Sequence, residues 1–343
     1  MKSLPASAAF AVLVALTTTP ARANVTFNLI PEVGTPQFAI DGFAAAANLW
    51  SARLADNITV NVQIGFSSLG PNIIGQAGSA FVEPSYAAVT QALGTHRTST
   101  DDFSAHAALQ PGTSFQRVIN HTSNNPNGVN SATPYVDTMD RVGMTTANAK
   151  ALGLITADSS LDALIRFSSN FSFDFNHGGT IAAGQIDFVG AAAHELGHAL
   201  SFVSGVDDID TLNGAYPGGT FSSNLLDLFR YSSLSVALGV GVMDYTADNR
   251  AKYFSVDGGL TQVALFSNGI VYGDGQQASH WKDNLGIGIM DPTAGFGERL
   301  DISNNDLRAF DVLGYTVVPE PSTGLLFCAG LLFLIRRKAA AHR

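Results

Sequence analysis

Residues Ile186 to Gly205 read IDFVGAAAHELGHALSFVSG, and this stretch decides how the rest of the chain is read. Small and apolar residues run from Phe188 to Val203 without a proline, and Gly205 stands where a left-handed C-terminal stop is expected. The pattern predicts a buried helix. Inside it His194, Glu195 and His198 form HExxH. Side chains four residues apart project from the same helix face, one turn apart, so two imidazoles can bind one Zn²⁺ at ~2.0–2.1 Å. Glu195, the residue after the first histidine, can then reach a water on the metal. The combination is expected by chance in about 0.003 places in a chain of this composition. Two imidazoles and a carboxylate on an apolar helix are also costly to bury without a metal.

A catalytic zinc needs a third protein ligand and an open position. In the spacing HExxHxxGxxH the glycine and third histidine would fall on Ser201 and Ser204, so that version fails. A downstream glutamate ligand would have to be Glu298 or Glu320. Apart from His342 in the C-terminal tail, the histidine that follows His198 is His280, in Ser279-His280-Trp281-Lys282-Asp283. Ten residues beyond it comes Met290, in Gly288-Ile289-Met290-Asp291-Pro292. His280 is therefore the leading candidate, with Glu298 as the alternative, because a neutral imidazole suits a three-histidine site. Met243, in Met243-Asp244-Tyr245, is a second candidate for a methionine turn, but no histidine separates it from His198. His177 reads as a turn residue.

HELGHALSF, followed after a long insertion by SHW and a methionine turn, resembles the leishmanolysin-type branch of the metzincins. It also resembles secreted bacterial metalloproteases that carry a PEP-CTERM signal. The resemblance covers the helix and the stretch from Ser279 to Tyr315. It implies that His194, His198 and His280 ligate zinc, that Glu195 is the general base, and that Met290 forms an apolar floor beneath the metal. Two departures stand out. Ser201 occupies a position where such relatives usually carry glycine, and between the two terminal segments this chain has no cysteine, its single one being Cys328.

Both ends carry addresses. Lys2, the apolar run Ala8 to Leu16 and Ala21-Arg22-Ala23 follow the order of a secretory signal peptide over residues 1–23, with cleavage before Asn24. At the other end, residues 319–343 contain Pro319-Glu320-Pro321, an apolar run from Gly324 to Ile335, and Arg336-Arg337-Lys338. With Val318 this resembles the PEP-CTERM sorting signal, which implies export machinery and an exosortase-type processing enzyme as partners. The run enters the bilayer while the basic cluster stays on the cytoplasmic side, so membrane contact is expected through the terminal segments only. Both runs are shorter than the ~20 residues of a spanning helix.

Only 13% of the 343 residues are charged, while 46% are hydrophobic, which excludes a disordered acidic chain. Residues 24–318 keep 12 basic against 27 acidic residues, a formal charge of about −15. No basic surface is available for nucleic acid, and no thiol redox motif or disulfide scaffold can form.

The expected architecture is α+β and zincin-like, with lobes at about 24–205 and 206–318 and the zinc between them. Strands are predicted at Val25–Ile30, Ile58–Phe66 and Ala163–Phe175, and helices at Ile40–Leu54, at residues 144–154 and at Asn304–Leu313 with Gly314 as the stop. Residues 70–130 read as loops and short strands. The expected reaction is hydrolysis of a protein or peptide by a zinc-activated water, with Glu195 as base. Oxyanion support is expected from Tyr245, Tyr253 or Tyr272, and outer hydrogen bonds to the ligands from carboxylates such as Asp283 and Asp291 or from carbonyls. The substrate is expected to pair with the strand around Phe171–Phe175. Asp207, Asp208 and Asp210 offer clustered oxygens for Ca²⁺ but lack EF-hand spacing. From another functional class, the alternative is a surface or matrix protein that keeps the metal-binding fold without cleaving anything.

Overall fold

A computed structural model describes residues 24–212 and 222–318. The predicted signal peptide and the tail from Pro319 onward lie outside the described residues. Among the described residues no helix is long and apolar enough to cross a membrane.

The fold is α+β. Strands Thr26–Pro31, Thr59–Ser67 and Ala163–Ser168 pair in parallel, and Gly75–Ser79 adds an antiparallel strand at the edge. The middle strand, TVNVQIGFS, buries Val60, Val62 and Ile64 on alternate positions, as a half-covered strand should. Helix Gln37–Ser51 and the motif helix Phe188–Ala199 pack against each other beside this sheet. The indole of fully buried Trp50 donates to the Ala193 carbonyl at 2.8 Å, locking the two helices in register. Its ring also meets Phe310 of helix Asn304–Val312 edge to face, with centroids 4.5 Å apart.

That last contact bears on the two expected lobes. One apolar core runs from Phe43 and Trp50 through Leu196 to Trp281, Phe310 and Tyr315, across the boundary at residue 205. The backbone of Val318 returns to Arg53, and Leu54 bridges to Val317. The two halves of the chain thus share this core, beside a smaller buried cluster of Ile119, Val206, Ile209, Tyr245, Ala247 and Ala278.

Three local expectations need correction. The strand predicted across Ala163–Phe175 ends at Ser168, whose hydroxyl accepts the Asn170 N–H and turns the chain. Phe173 and Asp174 then pair with Ile186 and Asp187 in a separate two-stranded piece. The even phenylalanine spacing instead reflects packing of Phe167, Phe173 and Phe175 around Phe188. Within residues 70–130 the chain forms helices Tyr86–Thr95 and Thr100–Ala108 as well as strands. Ser99 caps the second reciprocally with Asp102, a signal present in the sequence. The third correction concerns the helix stop. The motif helix ends at Ala199, and Ser201, at φ +86°, takes the left-handed position. Phe202 N–H bonds back to the Gly197 carbonyl and Ser201 N–H to His198, the paired bonds of a Schellman ending. Gly205 serves a different purpose, since a Cβ there would strike the Tyr245 hydroxyl and the Ser222 carbonyl.

Candidate metal centre

The motif helix begins at Asp187, whose buried carboxylate accepts the Gly190 N–H and so caps its first turn. The same carboxylate takes the Leu300 N–H and a ring nitrogen of His177 at 2.7 Å. His177 is thus a clamp on the helix start and stands outside the metal cluster.

From this helix His194 and His198 project together, and His280 arrives from the loop 82 residues later. The three Nε2 atoms form a nearly equilateral triangle, with His194–His198 at 3.1 Å and both other sides at 3.2 Å. Each Nδ1 faces a backbone carbonyl: His194 that of Ile289 at 2.7 Å, His198 that of Phe202 at 2.7 Å, and His280 that of Gln277 at 3.2 Å. Carbonyls accept only, so each Nδ1 carries the proton and each Nε2 turns a lone pair into the triangle. Burial also drives all three rings toward the neutral form, His198 down to about 3, and neighbouring imidazoles push His198 and His280 further the same way.

Three converging lone pairs with no proton between them repel each other unless a cation sits among them. The spacing suits zinc: two nitrogens each ~2.0–2.1 Å from one tetrahedral ion stand ~3.3 Å apart, against the 3.1–3.2 Å found here. Among the described residues these three histidines are the one group of metal-ligating side chains that converges. Glu298 is not in it, its carboxylate being turned to the Gly295 N–H.

The methionine turn lies directly under the helix. Met290 is fully buried, and a Cβ added to Gly197 would strike its sulfur, so glycine is required for that approach. Met243 instead sits in a short strand paired with Arg117. The turn is fixed by buried Asp306, which accepts the N–H groups of Ile289 and Ser303 and the indole of Trp281. Carbonyls hold all three imidazoles; Asp283 and Asp291, expected as partners, bond to Thr293.

Above the triangle lies a cleft of about 700 Å³, roofed by the edge strand Gly75–Ser79 and floored by His194, Glu195, His198 and His280. Its described lining includes the carboxylates of Glu83, Asp207 and Asp208 and no lysine or arginine. A second cavity of about 300 Å³ adjoins it at Glu195 and His194, walled by Ile73, Ile74, Phe167, Pro292 and Leu300. Glu195 borders both, and burial lifts its carboxyl to about 7. Gly75–Ser79 flanks the cleft, whereas Phe173–Asp174, the strand expected to lie along it, pairs with Ile186–Asp187.

None of the three expected tyrosines lines either cavity. Tyr245 donates to the Ser222 carbonyl and Tyr253 to that of Gly259, while Tyr272 stacks on His121. Two of the three clustered aspartates of helix Val206–Leu212 hold backbone N–H groups, while Asp208 lines the cleft. Asp210 accepts the N–H groups of Ile270, Val271 and Tyr272, and Asp207 those of Ala278 and Ser279. Sequence reading missed the edge strand, because its GQAGS composition has neither apolar alternation nor β-branched residues.

Residues 317–338 match the PEP-CTERM protein-sorting motif. This motif indicates an exported bacterial protein bound to the cell envelope or surface, and it implies recognition by exosortase processing machinery. No curated protein and no solved structure matches the chain.

Proposed function

We propose that this protein is a zinc-dependent endopeptidase acting outside the cytoplasm, with a zincin-like site in which His194, His198 and His280 hold the metal. One observation carries the reading: three Nε2 lone pairs converge at 3.1–3.2 Å on the floor of a cleft that also holds Glu195. The short HExxHxxGxxH spacing is replaced here by a ligand from a distant loop, but the coordinating geometry is of the same kind.

When bound, zinc supplies Lewis-acid polarisation of a carbonyl and acidifies a water molecule. The remaining work belongs to the chain. An extended peptide adds to the free edge of Gly75–Ser79 by backbone hydrogen bonds, which presents a peptide bond over the histidines. Glu195, which borders the cleft beside His194, takes a proton from the attacking water and delivers it to the leaving amine. The cavity walled by Ile73 and Leu300 accepts an apolar side chain next to the scissile bond. A surface protein that merely retained the metal would need no carboxylate at position 195.

Cleavage of casein by the full-length protein, with and without a zinc chelator and beside Glu195→Gln, tests this reading. The expected result is loss of activity with chelator, recovery on zinc addition, and a fall of about 10²–10⁴-fold in the variant. Undiminished cleavage in either case overturns it.

A further inference from the structure

The third ligand poses a structural problem. His280 is separated from His198 by 82 positions, so nothing in the local chain delivers it to the triangle. The delivery is made by a turn whose two ends are held in different ways. The Gln277 carbonyl accepts the His280 Nδ1–H at 3.2 Å. The N–H groups of the two residues between them, Ala278 and Ser279, both point at the carboxylate of Asp207, at 2.6 and 3.1 Å. The Ser279 hydroxyl donates to the same carboxylate at 2.5 Å and accepts the Ser204 N–H at 2.8 Å.

Asp207 lies on helix Val206–Leu212, eight residues past the end of the motif helix. The segment between is itself pinned. Ser204 Oγ donates to buried Asp227 at 2.6 Å, and Gly205 N–H reaches the same carboxylate at 3.0 Å. One continuous chain of bonds therefore runs from the exit of the helix that carries two ligands to the turn that carries the third.

We infer that Asp207, with Ser279, is the positioning device that brings His280 to the metal, and this rests on the zinc reading above. The Nδ1 of His280 bonds to Gln277 and its Nε2 faces the other two imidazoles, so Asp207 is not a hydrogen-bond partner of that ring. It acts by fixing the backbone on which that ring stands, and its effect falls on metal affinity before it falls on any chemical step.

Helix Val206–Leu212 supplies its own control. Asp210 gathers three backbone N–H groups in the same manner, from Ile270, Val271 and Tyr272, but these lie eight to ten residues before His280 and outside the turn from Gln277 that carries it. Zinc affinity of the full-length protein is measured by competition with a chromogenic chelator, and the visible spectrum of the Co²⁺ form is recorded. The variants are Asp207→Asn, Ser279→Ala, Asp210→Asn and His280→Ala. Asp207→Asn and Ser279→Ala are expected to weaken zinc about 10–100-fold and to alter the Co²⁺ bands. Asp210→Asn is expected to lower the melting temperature of the metal-free protein while leaving zinc affinity unchanged.

Should Asp207→Asn fail to fold, Ser279→Ala decides, because it removes one limb of the clamp and leaves the carboxylate in place. Wild-type zinc affinity in Ser279→Ala and Asp207→Asn, beside a loss in His280→Ala, overturns the clamp alone. Absence of stoichiometric zinc from the wild type overturns the zinc reading and the clamp with it.

Discussion

The backbone carbonyl of Ile289 accepts the Nδ1–H of His194 at 2.7 Å, joining the motif helix to a turn 95 residues further on. The bond does two things at once. It fixes the tautomer that turns Nε2 of His194 toward the other two rings, and it sets Met290, the next residue, against Gly197. Asp306 supports the arrangement from behind through the Ile289 N–H. The geometry of the first histidine thus depends on a carbonyl and a carboxylate that no spacing rule in the helix contains.

Ligand identity is open to a direct comparison. His280→Ala should lose zinc by more than the ~10–100-fold typical of an outer-shell partner, whereas Glu298→Ala should retain one equivalent. Metal analysis after gel filtration reads both. Retention by His280→Ala together with loss in Glu298→Ala would reassign the third ligand.

Ser201 holds a left-handed backbone that costs an L-residue roughly 1–2 kcal/mol. Its buried hydroxyl accepts the Thr145 N–H at 3.3 Å, which offsets part of that cost. Ser201→Gly and Ser201→Ala both remove the hydroxyl, so their difference isolates the backbone. The glycine variant should be the more stable by about 1 kcal/mol in chemical denaturation. Equal stabilities would show that the left-handed turn carries no strain.

Asp311 should make stability fall as pH rises. Burial pushes its carboxyl from 3.8 to about 7, and neighbouring Asp102 and Asp101 push the same way, against the hydrogen bond from Ser99. Between those values the folded protein keeps a proton that the unfolded chain has released. The contribution is fully present below about 4 and is lost as pH passes through about 7. Asp311→Asn should therefore flatten the decline in melting temperature between pH 5 and 8. An unchanged profile would contradict the assignment.

The cleft carries Glu83 and Asp208 and no cation among its described lining residues. Asp208 has only burial acting on its carboxyl, which raises its pKa. A peptide with Lys or Arg close to the cleaved bond should be preferred over its neutral counterpart, and Asp208→Asn should reduce that preference about 5–10-fold, the worth of one modest ion pair. Comparing kcat/KM for matched peptides in both proteins gives the answer; identical ratios would remove Asp208 from substrate selection.

Much of the site was legible in the chain because helices are local. The i, i+4 spacing of His194 and His198 places two rings on one face wherever the helix forms, and elimination among eight histidines leaves His280. The capped C-terminal helix with Gly314 at φ +89° was equally readable, since caps and left-handed stops act over a few residues. The helix stop at Ser201 was not, because a serine in that conformation is held by a bond from Thr145, distant in sequence.

The sequence by itself determined the HExxH helix, the placing of His194, Glu195 and His198 on it, and the terminal sorting address, all set by residue type at short spacing. Only the tertiary structure decided which carbonyls orient the rings, that Gly75–Ser79 roofs the cleft, and that Asp207 carries the turn of His280. Those are long-range pairings. They depend on which backbone groups the completed core leaves facing one another, and the need to satisfy each buried N–H and carbonyl chooses the partner.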